Sequence, residues 1–432
     1  MLYILKKILN FLKKNDTTYW IIFYIIVYVI FIIKYATIKN FGQNLLFEAY
    51  SLTISLYILS RFALAYFYAP ESEKFDRNFQ PTVSFGVPTK NEEQNIQETI
   101  LRIAASDYPK EKFDIIAVND GSSDNTLAEM KKAQRKAAFE YGVKVKIIDF
   151  GTNRGKREGM AVCTRESNKD IIVFIDSDSF VKSDMLKELV KYFIDKKIGG
   201  VAGHAYVANE EKNILTKMQA VRYYVAFKAY KAAESLFGTV TCASGCCAAY
   251  RRSYVMEVID SWRNQKFLGV RCTYGDDRSL TNSLLEKNYE VVYAPEAISY
   301  TFVPSTFKQF MRQQLRWKKS WLRENLRASK FIWKKNILMS VSFYLGFVLP
   351  ILAPLVLIRA LIWYPTTTGN FPYFYITGLL LMTLLYSLYY YIHTKDRAWL
   401  YGAVFSLFYS LILVWQLPWA MINIRDPKWG TR

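Results

Sequence analysis

Two aspartates one residue apart, Asp176 and Asp178, directly follow the apolar run Ile171 to Ile175, which predicts a buried strand. Carboxylates bind Mg²⁺ and Mn²⁺, and a divalent cation held at the end of a strand could bridge the protein and a diphosphate. The pair is weak evidence by itself, because solvated acidic turns share its spacing. The metal-site hypothesis therefore depends on the other polar clusters of the chain.

Two further polar clusters also follow apolar runs. Asp120 follows the run Phe113 to Asn119, where its carboxylate could accept hydrogen bonds from a base or a ribose; alternatively, Asp120 starts a turn and Asp124 caps the next helix. Lys156 belongs to the run Asn153 to Arg157, which opens a predicted helix with cations and glycine. This composition suits an anion held at a helix N-terminus, although a basic turn in a basic protein would look the same.

A pair of adjacent carboxylates, Asp276 and Asp277, stands at the predicted start of another helix, within Gly275 to Arg278. A general base for a hydroxyl group must be an ionised carboxylate within hydrogen-bond reach of it, and this motif could supply one. A helix N-cap is the simpler alternative for the same residues.

The segment after Pro304 has helical periodicity, and Gln313, Arg316 and Trp317 share one face because they are three and four residues apart. Apolar residues form an arc on this helix: Phe307, Phe310, Met311, Leu315, Trp321, Leu322 and Leu326. Basic residues are predicted to lie opposite: Lys308, Arg312, Lys319, Arg323 and Lys330. The two faces predict a helix that lies in the membrane interface and contacts lipid.

Alternating strand-like and helical segments separate the polar clusters. The predicted strands are Thr82 to Val87, Phe113 to Asn119, Val143 to Phe150 and Ile171 to Ile175. The predicted helices are Glu92 to Ala105, Asp124 to Phe139 and Lys156 to Ser167. This alternation predicts an α/β domain with a mostly parallel sheet, and such sheets bind ligands at the carboxyl ends of their strands. The clusters, including the loop with Thr89 after the first strand, follow the strands as this rule requires.

Long apolar segments flank the α/β region and are typical of transmembrane helices. They are Tyr19 to Ile33 and Leu45 to Ala69 before it, and Ile337 to Trp363, Phe371 to Ile392 and Ala398 to Ile424 after it. Lysine and arginine are abundant before the first and third segments, so the domain between them is expected in the cytoplasm of a multi-pass plasma-membrane protein. The expected regions are a membrane region 1–69, a cytoplasmic domain 70–304, interfacial helices 305–335, a membrane region 336–424 and a cytoplasmic tail 425–432.

Composition excludes several other classes. Most of the excess behind the net charge of +20 lies beside apolar segments, which indicates contact with anionic lipid rather than nucleic acid. The sequence has no glycine-rich fingerprint of a nicotinamide enzyme or a P-loop NTPase. The five cysteines fall in the predicted cytoplasmic domain and are expected to be reduced thiols, and the adjacent Cys246 and Cys247 lack the spacing of a zinc site. His204 is expected to be a core residue rather than a ligand.

Four of these clusters, in this order, resemble the signature of the processive family 2 membrane glycosyltransferases, which include hyaluronan, chitin and cellulose synthases. The matching residues are Asp120, Asp176 to Asp178, Gly275 to Asp277, and the pattern Gln313-x-x-Arg316-Trp317. The resemblance is strongest to bacterial-type hyaluronan synthases, through Asn264 to Gly269, Gly275 to Asn282 and Trp429 to Arg432. It covers nearly the whole chain.

This resemblance implies a Rossmann-like GT-A fold, UDP-sugar donors, a growing polysaccharide acceptor and an Mg²⁺ or Mn²⁺ ion on Asp178. The implied donor-binding residues are Thr89, Asp120, Lys156, Asp176, Arg316, Trp429 and Arg432. Asp277 would be the general base in the catalytic motif that includes Asp276. Trp317 and Gln313 would bind the acceptor sugar, and the terminal Trp429 to Arg432 would form a gating loop over the donor.

One departure from the pattern leaves the product open: hyaluronan synthases usually have Ser-Gly-Pro where this chain has Ser244-Gly245-Cys246. Chitin-oligosaccharide synthases share the scaffold and are the main alternative to hyaluronan synthesis. A non-processive transferase acting on a lipid carrier is a second alternative, which the acceptor-stacking Trp317 disfavours. A transporter or an inactive scaffold is a third, which the intact carboxylates and the few charges in the C-terminal segments disfavour.

The predicted number of spans conflicts with the gating role of the tail. Two segments before the domain and three after it would place Trp429 to Arg432 outside the cell, away from the nucleotide. A last segment that is re-entrant or interfacial, broken by Pro418, would return the tail to the cytoplasm, as would a further crossing. Arg425, Lys428 and Arg432 favour the cytoplasmic end.

Overall fold

The computed structural model describes residues 17–40, 45–69 and 79–427. These residues fall into two compact units. The first unit takes its described residues from the ranges 1–60, 210–225 and 344–419, and the second takes them from 61–209, 226–343 and 420–432. The sheet and all of the described candidate site residues belong to the second unit.

The second unit is built on an eight-stranded sheet with the order β3-β2-β1-β4-β7-β6-β10-β5. Its strands are β1 (Val83–Thr89), β2 (Phe113–Asn119), β3 (Val145–Asp149), β4 (Ile171–Phe174), β5 (Ser179–Val181), β6 (Ile198–Val207), β7 (Ala248–Arg251) and β10 (Glu290–Thr301). A separate pair is formed by β8 (Lys266–Phe267) and β9 (Val270–Arg271). The first four strands match the predicted ones closely.

The sheet is mostly parallel, as the sequence predicted, but two of its eight strands, β7 and β5, run in the opposite direction. Strands β3, β2, β1 and β4 are parallel neighbours, as expected. Strand β7 runs antiparallel to both β4 and β6, and β5 runs antiparallel to β10. The sequence Ala248-Ala249-Tyr250-Arg251 lacks the β-branched apolar run that identified the first four strands, so β7 gave no comparable signal.

Helices cover the sheet and supply the core. Those of the domain are α3 (Ile96–Ala104), α4 (Thr126–Tyr141), α5 (Lys156–Glu166), α6 (Met185–Val190), α8 (Ala232–Ser235), α9 (Arg252–Arg263), α10 (Asp276–Glu286) and α11 (Phe307–Ala328). Helix α3 buries Ile96, Ile100 and Ile103 against the sheet because these residues are three and four apart. Every residue of β1 is buried, in keeping with its mostly apolar sequence.

The remaining described helices are mostly apolar. They are α1 (Thr17–Asn40), α2 (Leu45–Phe67), α7 (Ile214–Val225), α12 (Ile337–Ile358), α13 (Tyr364–Thr368), α14 (Tyr373–Thr394), α15 (Leu400–Leu411) and α16 (Gln416–Ile422). Four described segments are long and apolar enough to cross a membrane: Thr18–Ala36, Leu46–Phe67, Ile337–Thr368 and Tyr373–Thr394. They correspond to the first four predicted spans.

The fifth predicted span is a bent pair of helices rather than one straight helix. Its two parts, Arg397–Leu411 and Leu413–Ile422, differ in direction by 42°. The sequence predicted a break at Pro418, but the chain bends at Ile412 and Pro418 lies inside α16. A proline is tolerated in the first turn of a helix, because the N–H groups there have no partner within the helix.

Candidate active site

A single glycine joins the two carboxylate clusters of the candidate site. The Gly245 carbonyl oxygen accepts a hydrogen bond from the Asp176 N–H at 3.0 Å. The Gly245 N–H in turn donates to Asp277 Oδ2 at 3.3 Å. A Cβ atom on Gly245 would lie 3.0 Å from Asp176 Oδ1 and 3.2 Å from Lys156 Nζ. The end of β4 and the start of α10 are therefore held together by a residue at which a side chain would crowd Asp176 and Lys156.

Lys156 and Asp176, both predicted donor-binding residues, form an ion pair in this structure. Burial disfavours the ammonium form of Lys156, but the carboxylates of Asp176, Asp277 and Asp276 outweigh burial and raise its pKa. Lys156 is therefore a cation at neutral pH. Its position at the start of α5 places this charge beside unpaired helix N–H groups, which also favour an anion.

Asp178 is half-buried and lies two residues beyond Asp176. The turn between them is fixed, because the Ser177 carbonyl accepts from Thr99 Oγ1 at 2.9 Å and the Asp176 carbonyl accepts from the Ser179 N–H at 2.9 Å. Among the described residues, no group of three or more His, Cys, Asp or Glu side chains is arranged to enclose a metal. Mg²⁺ and Mn²⁺ are often held by one or two carboxylates together with substrate phosphates, and the pair of aspartates fits such an ion.

Asp120 is buried at the end of β2 and uses its carboxylate within the protein. Its Oδ1 accepts hydrogen bonds from the N–H groups of Arg154 at 2.6 Å and Gly155 at 3.1 Å, and the Asp120 N–H donates to the Thr89 carbonyl at 2.8 Å. Burial raises the pKa of Asp120, while the two N–H groups and the charges of Lys90 and Arg154 oppose that shift. Asp120 thus links the predicted Thr89 loop to the loop before α5.

Asp276 differs from Asp277 in its surroundings. The Asp276 side chain is only 3% exposed, and its Oδ1 accepts a hydrogen bond from Arg157 Nε at 2.7 Å. Arg157 also donates to the Trp262 carbonyl at 2.9 Å and to Gln265 Oε1 at 3.0 Å. The two neighbouring carboxylates were both predicted to be catalytic, but this fully buried ion pair favours a structural role for Asp276.

Gly275 brings helix α11 against the start of α10. Its φ of +76° is in the left-handed region, and a Cβ atom there would overlap Ser320 and lie 3.1 Å from a guanidinium nitrogen of Arg323. Arg316 and Trp317 lie one helical turn before Ser320 on the same face of α11. The half-buried Gln313 lies two turns before Ser320, and its Oε1 is buried without a hydrogen-bond partner in the described part of the chain.

The predicted basic face of this helix is wrong at two residues, because Lys319 and Arg323 are buried. Arg323 donates to Glu324 Oε1 at 3.0 Å and also to the Tyr274 carbonyl, and Asn282 Nδ2 donates to the Glu324 carbonyl at 3.1 Å. Phe307 and Leu326, by contrast, are exposed. The side of the helix that packs against the protein includes Lys319 and Arg323 as well as the apolar Phe310 and Leu322, so apolar periodicity alone misplaced these two basic residues.

The C-terminal end of the described chain lies beside the catalytic motif. Lys319 Nζ donates to Asp426 Oδ2 at 2.9 Å, and the Tyr274 hydroxyl donates to the Asp426 carbonyl at 3.0 Å. Thr273 also contacts the carbonyl of Pro427. The predicted gating residues Trp429 and Arg432 lie outside the described residues, as do the lysines near the N-terminus.

Two charged residues that the sequence did not single out belong to the site. Arg157 lies within a predicted basic cluster. Its ion pair with Asp276 joins residues that are far apart in sequence, so no local sequence pattern could predict the pair. Lys231 is a buried cation whose Nζ donates to Ser244 Oγ at 2.7 Å. The only hint in the sequence was a lysine among apolar and aromatic neighbours, in Tyr230-Lys231-Ala232-Ala233, which is compatible with a buried cation.

His204 and four of the cysteines are buried as core residues are, whereas Cys242 is half-buried and its Sγ lies 3.9 Å from Asp277 Oδ2. His204 is buried, its Nδ1 contacts the Tyr293 hydroxyl, and burial lowers its pKa to about 3, so it is neutral. All five cysteines are free thiols. Burial also raises the pKa of the Cys242 thiol to about 11. None of these residues has the character of a reactive thiolate or a charged histidine.

The fold and the site together define a glycosyltransferase of the GT-A type. A mannosyltransferase, PcManGT from Pyrobaculum calidifontis, whose structure contains GDP-Man and Mn²⁺, superposes with a TM-score of 0.58 at 20% identity, covering 85% of this chain and 99% of that one. The mixed sheet is therefore a glycosyltransferase fold, as the motifs predicted.

Sequence comparison identifies the family. A model described as Glycosyl transferase family 2 matches residues 84–259. An N-acetylglucosaminyltransferase of Azorhizobium caulinodans is 30% identical over 359 residues, covering 82% of this chain and 87% of that relative. A hyaluronan synthase of Streptococcus pyogenes is 26% identical over 418 residues, covering 94% of this chain and 95% of that relative. The chain belongs to glycosyltransferase family 2, which confirms the resemblance predicted from its motifs.

Proposed function

We propose that this family 2 glycosyltransferase is a membrane-embedded, processive enzyme that polymerises sugars from UDP-sugar donors. The product that we favour is hyaluronan, made from UDP-N-acetylglucosamine and UDP-glucuronate. The observation that carries the proposal is the position of Gly245, which links the cation–carboxylate pair Lys156 and Asp176 to Asp277. This arrangement supports the proposal, because a diphosphate bound at Lys156 would lie next to a candidate base, as a sugar transfer requires.

The donor diphosphate is proposed to bind Lys156 and Arg316, and the uridine to bind the loops held together by Thr89 and Asp120. The Asp120 carboxylate already accepts N–H groups from the loop before α5, so we assign it to fixing that loop as well as to the nucleotide. Trp429 and Arg432 would close over the bound donor, as in the family that the motifs resemble.

Asp178, with Asp176 beside it, is proposed to hold the Mg²⁺ or Mn²⁺ ion. When bound, such an ion supplies positive charge that stabilises the departing diphosphate. Lys156 contributes a fixed positive charge at the same place, because its raised pKa keeps it protonated at neutral pH.

Asp277 is proposed to be the general base, in a single displacement that inverts the anomeric centre. The Asp277 carboxylate takes the proton from the acceptor hydroxyl, the oxygen forms the new bond to the anomeric carbon, and the bond to UDP breaks with its electron pair leaving on the diphosphate. No covalent intermediate with the enzyme is needed. Trp317 would stack on the acceptor sugar, and the buried Oε1 of Gln313 would accept a hydrogen bond from one of its hydroxyl groups.

The contact of Asp426 with Lys319 supports a cytoplasmic tail on the same side as the catalytic domain. A chain that leaves the domain and returns to it must cross the membrane an even number of times. Two crossings, Ile337–Thr368 and Tyr373–Thr394, satisfy this condition if the bent pair after them does not cross. We therefore propose that the bent pair is re-entrant or interfacial in the plasma membrane. Labelling of a cysteine placed after Pro427 with a membrane-impermeant maleimide, in intact and in opened cells, tests this topology.

The function is tested by UDP release from the purified protein in lipid with Mn²⁺, using UDP-N-acetylglucosamine alone, UDP-glucuronate alone, and both together. Rapid release only with both donors supports hyaluronan synthesis, and Asp277→Asn is the inactive control. Rapid release with UDP-N-acetylglucosamine alone would replace this proposal with a synthase of chitin oligosaccharides or another β-linked N-acetylglucosamine polymer. The 30% identity to an N-acetylglucosaminyltransferase favours that second candidate. Product length distinguishes either polymerase from a non-processive transferase.

A further inference from the structure

We propose that Lys231 recognises a carboxylate on the donor sugar, and so selects a uronate donor. The inference rests on the proposed function, since it requires a UDP-sugar in the site. It goes beyond that function because it assigns the choice of donor to one side chain. Lys231 matches none of the motif residues from which the resemblance was recognised.

Lys231 lies at the end of a π-helical turn, Ala226–Lys231. Such turns insert an extra residue into a helix, and they are frequent at functional sites because they redirect a side chain. Here the ammonium group lies over the ring of Phe227, 3.9 Å from its centre, and donates to Ser244 Oγ at 2.7 Å. The π-helical turn therefore places the Lys231 ammonium in contact with Ser244, the residue before Gly245.

This position lies beside the expected place of the donor sugar. The anomeric carbon must lie between the diphosphate, which we assign to Lys156, and the acceptor hydroxyl, which we assign to Asp277. Gly245 contacts the groups at both ends of that path. The sugar ring should therefore lie along the turn that contains Ser244. The Lys231 ammonium contacts Ser244, which directly precedes Gly245.

Lys231 carries a buried charge that no carboxylate of the described residues neutralises by an ion pair. The side chain is 9% exposed, and its polar partner is a neutral hydroxyl group. Lys156, by comparison, has Asp176 as its ion-pair partner. A buried cation without an ion-pair partner is unfavourable, and a carboxylate of the substrate would remove that penalty.

The charged groups around Lys231 are consistent with a site that binds an anion. Burial lowers the pKa of Lys231, and the more distant Cys242, Cys246, Asp277 and Glu234 oppose that shift only in part. Glu234 is itself engaged, because it accepts the Thr241 N–H at 2.9 Å.

The matched donors UDP-glucuronate and UDP-glucose isolate this interaction, because they differ only in the carboxylate at C6. Their dissociation constants are measured by calorimetry with the purified full-length chain in lipid nanodiscs and Mn²⁺. The wild type is expected to prefer UDP-glucuronate by about 10- to 100-fold, which is the usual strength of a charge-assisted hydrogen bond. In Lys231→Met the two donors should bind with about equal affinity, and Lys231→Arg should retain part of the preference for UDP-glucuronate.

Lys228→Met is the matched control, since it removes a lysine from the same π-helical turn and should keep the wild-type preference. Affinity for UDP-N-acetylglucosamine should change less than about twofold in Lys231→Met, which shows that the variant is folded. An equal affinity of the wild type for the two matched donors would overturn the proposal, and this needs no variant. An unchanged preference in Lys231→Met would also overturn it.

A weaker affinity of Lys231→Met for all donors alike would mean that the lysine acts through Asp277 or the loop instead, which contradicts the inference. Failure of the proposed function has a different signature. In that case the wild type neither binds nor turns over any UDP-sugar. A protein that turns over UDP-N-acetylglucosamine without preferring UDP-glucuronate would refute only the present inference.

Discussion

The neighbouring carboxylates Asp276 and Asp277 should separate stability from catalysis when each is changed to asparagine. Asp276→Asn keeps the shape of the side chain but leaves the buried Arg157 without its carboxylate partner. Removing one member of a buried ion pair typically destabilises a protein by about 3–5 kcal/mol, because the remaining charge is uncompensated. The low exposure of Asp276 and the 2.7 Å contact put this pair at the strong end of that behaviour.

Asp277→Asn should behave in the opposite way. Asp277 accepts the Gly245 N–H and the Cys242 thiol on Oδ2 and the Arg278 N–H on Oδ1, so the single oxygen of asparagine can keep the contacts of only one of these two atoms. The free energy of unfolding should therefore fall by about 0.5–1.5 kcal/mol, the usual net contribution of one hydrogen bond. Turnover should fall by about 10²- to 10⁴-fold, the usual contribution of a general base.

Both variants are compared by thermal unfolding in detergent and by UDP release in lipid. Asp276→Asn is expected to unfold roughly 6–20 °C below the wild type, if each kcal/mol shifts the midpoint by about 2–4 °C. Asp277→Asn should unfold only about 1–6 °C below the wild type, from the loss of one hydrogen bond. If Asp276→Asn were as stable as the wild type and yet inactive, our structural reading of Asp276 would be wrong and the sequence-based catalytic assignment would stand.

Four further predictions concern Gly275, the C-terminal tail, Lys231 and the metal ion. Gly275→Ala should destabilise the protein by about 2–5 kcal/mol, because of its left-handed φ and its overlap with Ser320. Gly269→Ala has the same backbone requirement but open space around it, so it should cost only about 1–2 kcal/mol, and equal thermal shifts of the two variants would contradict this. Removal of Trp429 to Arg432 should abolish UDP release while leaving the thermal midpoint unchanged, and full activity would refute the gating assignment. Because burial lowers the pKa of Lys231, its ammonium should lose its proton at a pH below the usual lysine pKa of 10.5. The preference for UDP-glucuronate over UDP-glucose should therefore decline as the pH rises toward 10.5, and a preference that stays constant up to pH 10.5 would contradict this prediction. Removal of divalent ions with EDTA should stop turnover and added Mn²⁺ should restore it; turnover in excess EDTA would refute the metal assignment.

The sequence predicted strands β1 to β4 from their enrichment in apolar residues. In β1 the side chains of Val83, Phe85 and Val87 are fully buried, and the polar cluster after the strand stands out in the sequence. The same reasoning identified β2 and β4 and therefore the positions of Asp120 and Asp176. Strand β7 could not be identified this way, because its small residues pair with β4 only after the chain has folded.

The errors in the site have a common physical origin. A helical projection assigns a polar residue to solvent, but the buried side of α11 includes polar residues: Lys319 pairs with Asp426, and Arg323 donates to Glu324 and to the Tyr274 carbonyl. Such pairs connect residues that are distant in sequence, so local periodicity carries no information about them.

The departure at Cys246 can now be weighed against the cation at Lys231. The turn forms without proline, since the Cys247 N–H donates to the Ser244 carbonyl at 3.0 Å. Burial, with a smaller contribution from Asp176, raises the pKa of the Cys246 thiol, so this residue is a small neutral group rather than a nucleophile. A neutral thiol offers little discrimination between an acetamido sugar and a uronate, whereas an ammonium group distinguishes them by charge. The product should therefore depend on Lys231 more than on residue 246, and Cys246→Pro should leave the donor preference of the wild type unchanged when the two matched donors are compared.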